Sequence, residues 1–356
     1  MRDLEKRNQK IIDAVIEKAN RICPESLAMI GICGSFGTGD FYEKSDLDLL
    51  VLINDEKGRQ LGCTFIQDDL EVGHDIYCTT WESLQKDALY NNPNISKLMD
   101  SKIIYYADKK YLEKLESLRK KANDILSAPF SREDYIKAEN MMKEAEHFYV
   151  AAMFAEDMAD IWVQAGCTLY YVENAIAMLN KKYFRYGVKR VYEELELMEK
   201  KPYKLCEMIE TVLSGSSAKQ IKKSLTVLMQ ETMHVFKKVE TTVSVQKKPV
   251  TADSVRGTYE EMFSNWRNKM YHASDKNNRH LAFMSMISLQ EMFSELGDEM
   301  EIERYHALDG YDPQNLRKTA KAFDDLIEEY LKEYQKVNLQ VARYPDVDAF
   351  VTQYLK

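Results

Sequence analysis

The spacing of apolar positions changes once along the chain, near Pro129. Before this point short apolar runs alternate with helical patterns, and after it only the helical pattern continues. Residues 3–20 predict an amphipathic helix that ends before Pro24, and residues 109–125 predict another. The segment "TWESLQKDALY" predicts a third helix. The first third of the chain therefore mixes helices with strands.

Strands are predicted where the apolar runs are short. "SLAMIGICG" is an apolar run that ends in glycine, and "DLDLLVLI" has acidic residues at its start and an apolar body. "CTFIQDDLEVGHDIYCT" predicts a hairpin that turns at Asp68 and Asp69, and "KIIYYA" predicts a last strand. Together these runs predict one small β-sheet region.

After Pro129 the apolar residues follow the period of an α-helix. Helices are predicted over residues 131–159, 161–183, 187–198, 218–241, 255–273, 279–297 and 313–337. Strands followed by helices predict an α+β fold, with a mixed sheet and flanking helices in residues 1–126 and an all-helical region in residues 127–356. The stretch 242–254 is a possible subdivision of the helical region.

The net charge of −9 excludes the basic excess of a general nucleic-acid-binding protein. An acidic balance either keeps the protein in solution or attracts a cationic partner. The six cysteines include no C-x-x-C pair, which argues against structural zinc and fits reduced thiols in the cytoplasm. The N-terminus lacks the apolar core of a secretory signal, and residues 161–180 are too polar for a membrane span.

Asp46 and Asp48 stand at the start of the second predicted strand. Residues two apart on a strand project from one face, about 6–7 Å apart. Two carboxylates at this distance repel each other unless a cation lies between them, and Mg²⁺ accepts one or two carboxylates together with substrate phosphates. Gly34 and Ser35 follow the first strand, where backbone N–H groups and a small hydroxyl can approach phosphates.

A third carboxylate is expected from the hairpin. Asp75 shares a strand face with Gly73 and Glu71. A neighbouring strand would carry Asp75 beside the first pair, and three carboxylates would hold two metal ions.

This pattern resembles the nucleotidyltransferase superfamily that includes DNA polymerase beta. The motif runs from Gly34 to Asp75, and the likeness in fold covers about the first 125 residues. Together with the helical second half, the pattern most resembles the small aminoglycoside and lincosamide adenylyltransferases of bacteria. The second half is similar to theirs only in being helical, and it is considerably longer here.

The resemblance implies a role for each residue of the motif. Gly34 and Ser35 are expected to bind the nucleotide, together with Ser45, which directly precedes Asp46. Asp46 and Asp48 are expected to bind two Mg²⁺ ions, and Asp75 is expected to be a third ligand or a base.

Glu173 is the only charged residue between positions 161 and 180. A buried carboxylate is costly unless it is paired or used, so Glu173 is a candidate general base. Some antibiotic nucleotidyltransferases use a glutamate of the helical domain in this way. The alternative is a structural salt bridge, for example with Lys181.

Two further motifs have open interpretations. "KKYFRYGVKR", residues 181–190, either reaches the phosphates of the nucleotide or is a solvated helix end. Arg267 and His272 match the R-x4-H signature of HEPN domains, which include ribonucleases and often partner small nucleotidyltransferases. The alternative is a packed arginine.

The favoured hypothesis is an adenylyltransferase-type enzyme that uses Mg²⁺ and ATP or another NTP. Its acceptor is expected to be a small, hydroxylated and cationic molecule such as an aminoglycoside antibiotic, which makes antibiotic resistance the expected role. The alternatives are a toxin–antitoxin or regulatory nucleotidyltransferase that acts on tRNA or protein, and a nucleotide-binding interaction protein without activity. The carboxylate triad argues against the last of these, because a binder needs no metal site.

Overall fold

The apolar runs of the first third fold into two small β-sheets. The structure is a computed structural model that describes residues 2–243 and 247–356. Its strands are β1 (Leu27–Ile32), β2 (Leu49–Ile53), β3 (Cys63–Gln67), β4 (Val72–Ile76), β5 (Cys78–Thr80) and β6 (Lys102–Tyr106). The larger sheet has the order β5-β2-β1-β6, and β3 and β4 form a separate hairpin.

The larger sheet is mixed. Strand β1 pairs antiparallel with both β2 and β6, whereas β2 pairs parallel with β5. The prediction of a mixed sheet is confirmed. The predicted second strand starts later than expected, because the ladder begins at Leu49 and the two aspartates precede it.

The chain forms two compact units, Met1–Ser244 and Val245–Lys356. The expected boundary at 126/127 falls inside the first unit, at the end of one of its helices. The helices of this unit are α1 (Arg2–Ile22), α2 (Gly34–Thr38), α3 (Trp81–Asp87), α4 (Ser96–Asp100), α5 (Lys109–Ser127), α6 (Arg132–Phe154), α7 (Met158–Leu179), α8 (Val191–Glu196), α9 (Leu205–Leu213) and α10 (Ala218–Thr242). Short 3-10 helices span Glu56–Leu61 and Val188–Arg190.

Two apolar clusters cover the two faces of the larger sheet. Leu49 and Val51 pack in one cluster with α1. Leu50 and Leu52 pack in the other, together with buried residues of α3 to α7, α9 and α10. This alternation is the period of two that a strand requires when both of its faces are buried.

Side chains at the helix ends account for several helix starts. Ser131 and Asp134 form a reciprocal capping box at the start of α6. The Asp157 carboxylate accepts hydrogen bonds from the first free N–H groups of α7. Asp157 in particular separates α6 from α7, whose apolar patterns follow each other almost directly in the sequence.

The second unit has its own apolar cluster, formed by residues of its helices and loops. Its helices are α11 (Ala252–Val255), α12 (Thr258–Glu261), α13 (Asn268–Asp275), α14 (Arg279–Glu299), α15 (Leu316–Lys336) and α16 (Val347–Tyr354). A π-helical turn spans Met262–Arg267, and a 3-10 helix spans Ala307–Gly310.

The predicted helix over residues 255–273 is confirmed from Thr258 onward, but it starts three residues later than predicted and is not a regular α-helix throughout. Gly257 has φ 85°, in the left-handed region, and separates α11 from α12. The π-helical turn then interrupts the regular pattern before α13. Elsewhere the α+β class and the helical remainder are as predicted. Among the described residues, no helix has a stretch long and apolar enough to cross a membrane.

Candidate active site

The segment before β2 carries the two aspartates that the sequence predicts as metal ligands. Leu47, like Leu49, is buried in the cluster on the α1 side of the sheet. Because side chains alternate along an extended chain, Asp46 and Asp48 project to the opposite face, which Leu50 shares. Both carboxylates therefore project to the face of the sheet on which Leu50 packs in the helical cluster.

Gly34 brings its backbone directly against Asp48. It begins α2 with φ 58°, and the N–H of the preceding Cys33 donates a hydrogen bond to the Asp48 carbonyl at 3.0 Å. A β-carbon on Gly34 would lie 2.6 Å from Asp48 Cγ and would overlap its Oδ2. Only glycine permits both this conformation and this approach.

The electrostatics of Asp48 reflect its surroundings. Partial burial raises the pKa of the Asp48 carboxyl, and the neighbouring Asp46 carboxylate raises it further. Lys97 and Lys189 act in the opposite direction. Two carboxylates that repel each other in a partly desolvated place are a suitable site for a cation.

Asp75 lies on the chain segment that runs beside Asp48. Three observed pairs lie 27 positions apart in the sequence: Lys44 with Glu71, Leu47 with His74, and Val51 with Cys78. Extended to Asp48, this offset would place Asp75 opposite it, but β4 pairs with β3 in the separate hairpin. The Asp75 side chain is exposed, and its Oδ1 accepts a hydrogen bond from Thr64 Oγ1 at 3.2 Å. Among the described residues the three carboxylates do not form one metal-binding group.

The donor set fits Mg²⁺ at the first two aspartates. Within residues 2–243 and 247–356, no three His, Cys, Asp or Glu side chains lie close enough together to hold a metal ion. Mg²⁺ does not require such a cluster, because it binds through one or two carboxylates and completes its shell with phosphates and water. Asp46 and Asp48, whose charges act on each other, are two carboxylates of this kind.

The two serines predicted at the nucleotide site have different surroundings. Ser35 is partly exposed in the first turn of α2, next to Gly34. Ser45 is only 2% exposed, and its Oγ accepts a hydrogen bond from the Tyr42 N–H at 2.9 Å. Ser45 therefore closes the turn that leads to Asp46, whereas Ser35 remains accessible to a ligand.

Arg7 also holds this turn, and the sequence analysis missed it. Its Nη2 donates to the carbonyl of Ser45 at 2.9 Å and to Asn8 Oδ1 at 2.8 Å. Among the described residues, its buried Nη1 has no partner. In the sequence Arg7 stands among charged residues of α1, so no pattern distinguishes it.

Glu173 lines a cleft of about 580 Å³ on the helical side. Burial raises the pKa of its carboxyl to about 7. Lys181, the suggested salt-bridge partner, pairs with Asp134 at 3.1 Å instead. No ion pair among the described residues includes Glu173. The other residues that line the cleft are Gly166, Leu169, Tyr170, Val188, Lys189, Arg190, Val191, Tyr192, Glu193, Ile209, Glu210 and Leu213.

The end of the basic segment 181–190 connects this cleft to the aspartates. Arg190 forms an ion pair with Asp40 at 3.1 Å, in the loop that leads to Asp46. The Lys189 ammonium lies 4.9 Å from the centre of the Tyr42 ring in the same loop. The segment is therefore more than a solvated helix end, because two of its cations contact the loop of the site.

In the second unit, Arg267 is held by its neighbours. Its guanidinium forms two hydrogen bonds with Asp324, at 2.7 and 3.1 Å, and lies 4.8 Å from the ring centres of Phe263 and Tyr271. Tyr271 also donates a hydrogen bond to Asp324. His272 is exposed. These contacts agree with the interpretation of a packed arginine.

Comparison with known proteins bears on the N-terminal part of the chain. Residues 10–131 match the family model of the nucleotidyltransferase domain. This range of the chain contains Gly34, Asp46, Asp48 and Asp75. The predicted nucleotidyltransferase domain is thereby confirmed, and a function in nucleotidyl transfer is supported. The match spans less than half of the chain and does not distinguish an antibiotic-specific subgroup.

The other comparisons add little. A nucleotidyltransferase-like protein from Exiguobacterium sibiricum 255-15 has a similar solved structure, with 13% sequence identity and a TM-score of 0.38. The alignment covers 82% of this chain and 92% of that one. Such a TM-score is too low to transfer residues of a site. No curated protein matches the chain.

Proposed function

We propose that the protein is a Mg²⁺-dependent nucleotidyltransferase of the adenylyltransferase type. It moves a nucleoside monophosphate from ATP or another NTP to a hydroxyl group of a small cationic acceptor and releases pyrophosphate. The observation that carries this proposal is the contact of Asp48 with the Gly34 backbone, with Asp46 beside it, inside the matched domain. A metal-binding carboxylate pair and a phosphate-binding turn need this proximity.

The nucleotide is proposed to bind at the end of the sheet. Asp46 and Asp48 would hold Mg²⁺. Asp75 would become the third carboxylate ligand if a second Mg²⁺ ion replaced the hydrogen bond that Asp75 accepts from Thr64. When bound, Mg²⁺ would neutralise phosphate charge and favour the deprotonated acceptor hydroxyl. Gly34 and Ser35 would bind the triphosphate through backbone N–H groups and a hydroxyl.

Glu173 is proposed as the general base. Its pKa of about 7 leaves a large fraction of the side chain ionised near neutral pH and still able to take up a proton. The carboxylate removes the proton of the acceptor hydroxyl, and that oxygen forms a bond to the α-phosphorus. The bond from the α-phosphorus to its bridging oxygen breaks, and pyrophosphate leaves with the electron pair.

The acceptor is proposed to occupy the cleft at Glu173. Glu210, which is in no ion pair among the described residues, adds negative charge there, while Glu193 is paired with Arg190. Tyr170 and Tyr192 provide flat apolar surfaces. With a net charge of −9, the protein favours cations over polyanions such as RNA. An aminoglycoside-type antibiotic has the required amines and hydroxyls, and its modification would give resistance. All six cysteines are free, which agrees with a reaction in the cytoplasm.

The test is a pyrophosphate-release assay with each NTP and a panel of aminoglycosides, lincosamides, tRNA and proteins. We expect release with a small cationic acceptor and loss of at least about 100-fold in the Asp46→Asn and Asp48→Asn variants. Both substitutions keep the shape of the side chain and remove only its charge, so circular dichroism should be unchanged.

Two results would count against the proposal. Near-wild-type turnover in either variant would show that the aspartates are not the active site. Label from α-³²P-ATP that appears on tRNA or protein, and on no small molecule, would replace the cationic acceptor with the macromolecular alternative.

A further inference from the structure

Two lysines lie at the end of the sheet that carries the aspartates. Lys97 is on α4, which leads into β6 where Ile32 pairs with both Lys102 and Leu49. Lys189, between α7 and α8, contacts Tyr42 in the loop that leads to Asp46. They come from segments about 90 residues apart in the sequence. The fold therefore assembles two positive charges beside the carboxylate pair.

Neither lysine has a carboxylate partner in the described parts of the chain. The Lys97 ammonium lies 5.7 Å from the centre of the Tyr77 ring, and the Lys189 ammonium lies 4.9 Å from that of Tyr42. A cation over an aromatic ring at an exposed site gains little free energy. Both ammonium groups can thus exchange this contact for a phosphate at little cost.

The neighbouring arginine differs in this respect. Arg190 forms ion pairs with Asp40 at 3.1 Å and with Glu193 at 2.6 Å. Its charge is already satisfied by two carboxylates, so it positions the segment. Lys189, the next residue toward the N-terminus, is carried by that segment to the face of Asp48.

We propose that Lys97 and Lys189 bind the phosphates of the NTP, including the pyrophosphate that leaves. This inference rests on the proposed function and adds two residues that contact the substrate. Mg²⁺ neutralises only part of the charge of a triphosphate, and lysine ammonium groups are suited to bind the remaining phosphate oxygens as point charges. Negative charge grows on the leaving pyrophosphate during transfer, so the same contacts also favour the reaction.

The test is a comparison of Lys97→Ala and Lys189→Ala with wild-type protein. Binding of Mg²⁺ and a non-hydrolysable ATP analogue is measured by titration calorimetry, and KM for NTP and for acceptor are measured by pyrophosphate release. Each variant should bind the analogue about 10- to 100-fold more weakly, because it loses a hydrogen bond between charged groups. KM for NTP should rise in proportion in both variants. In Lys97→Ala, which changes a residue outside the lining of the acceptor cleft, KM for the acceptor should change less than twofold.

Two control variants separate charge from structure. Lys182→Ala removes an exposed lysine of the same basic segment and should bind the analogue like wild type. Lys189→Arg keeps the positive charge and should recover most of the affinity.

The outcomes distinguish this inference from the proposed function. Wild-type protein that binds no nucleotide would overturn both. Wild-type protein that binds and transfers nucleotide, with both alanine variants within twofold of it, would overturn the role of the lysines alone. Equal increases in KM for NTP and for the acceptor in Lys97→Ala, without recovery of affinity in Lys189→Arg, would also overturn it, since they would indicate a structural defect.

Discussion

Substitution of Gly34 by alanine should damage the site much more than it damages the fold. Gly34 has φ 58°, and a left-handed conformation costs an alanine about 1–2 kcal/mol. The new β-carbon would lie 2.6 Å from Asp48 Cγ and 2.9 Å from Asp48 Cβ, closer than van der Waals contact allows. Because the backbone of Gly34 is joined to Asp48 by the hydrogen bond from Cys33, the Asp48 carboxylate has to turn away.

The displacement should abolish binding of Mg²⁺ and nucleotide. A shift of about 1 Å in a reacting group commonly costs 100-fold in rate, so pyrophosphate release should fall by about 100-fold or more. Urea denaturation should show a loss of only about 1–3 kcal/mol in the free energy of unfolding. Calorimetric titration with Mg²⁺ and the ATP analogue should show that the affinity for the analogue falls together with the rate of pyrophosphate release.

Gly39 provides the matched control. It ends α2 with φ 89°, and a β-carbon built on it meets no atom within 4 Å. Gly39→Ala therefore also places an alanine in the left-handed conformation, but its β-carbon contacts no other residue. This variant should be less stable than wild type and should keep its affinity for nucleotide. If Gly34→Ala and Gly39→Ala had equal affinity and turnover, the argument from close approach would be refuted.

Two further predictions concern Glu173 and Arg267. Burial raises the folded-state pKa of Glu173 from 4.5 to about 7, so the native state binds its proton more tightly than the unfolded chain does. Wild-type stability should therefore fall as pH rises from about 4.5 to about 7, and Glu173→Gln should be more stable than wild type at pH 8, by at most about 3 kcal/mol. The rate of pyrophosphate release by the wild type should rise with pH through about 7. Glu173→Gln should be slow at every pH and show no such rise. A normal rate in Glu173→Gln would show that Glu173 has a structural role only. Arg267→Ala should lower the free energy of unfolding by about 1–3 kcal/mol, measured in urea, without change in nucleotidyl transfer. If the wild type cleaved RNA and Arg267→Ala did not, the HEPN interpretation would be supported instead.

The sequence was sufficient for the parts of the site that lie on one short segment. Asp46 and Asp48 share a face because the alternation that buries Leu47 and Leu49 continues through them. Local pattern also predicted the hairpin and the glycine turn, since both depend on residues close together in the chain.

Two cations of the site, Arg7 and Lys97, could not be found in this way, whereas Lys189 belongs to a basic segment that the sequence does single out. Arg7 and Lys97 come from distant segments, and only the packing of helices on the sheet brings them near the aspartates. A single lysine on an amphipathic helix has the same pattern whether it faces solvent or a site. The π-helical turn at Met262–Arg267 was missed for a related reason, because its apolar spacing resembles that of an α-helix.

The ion pair between Arg190 and Asp40 has a consequence for how the two substrates affect each other. It joins the wall of the acceptor cleft to the loop that precedes Asp46, so we expect ligand binding at either place to affect binding at the other. Such coupling is reciprocal: if an acceptor tightens nucleotide binding by some factor, the nucleotide tightens acceptor binding by the same factor. Substrate binding is then expected to be cooperative, and loss of this ion pair is expected to weaken the cooperativity.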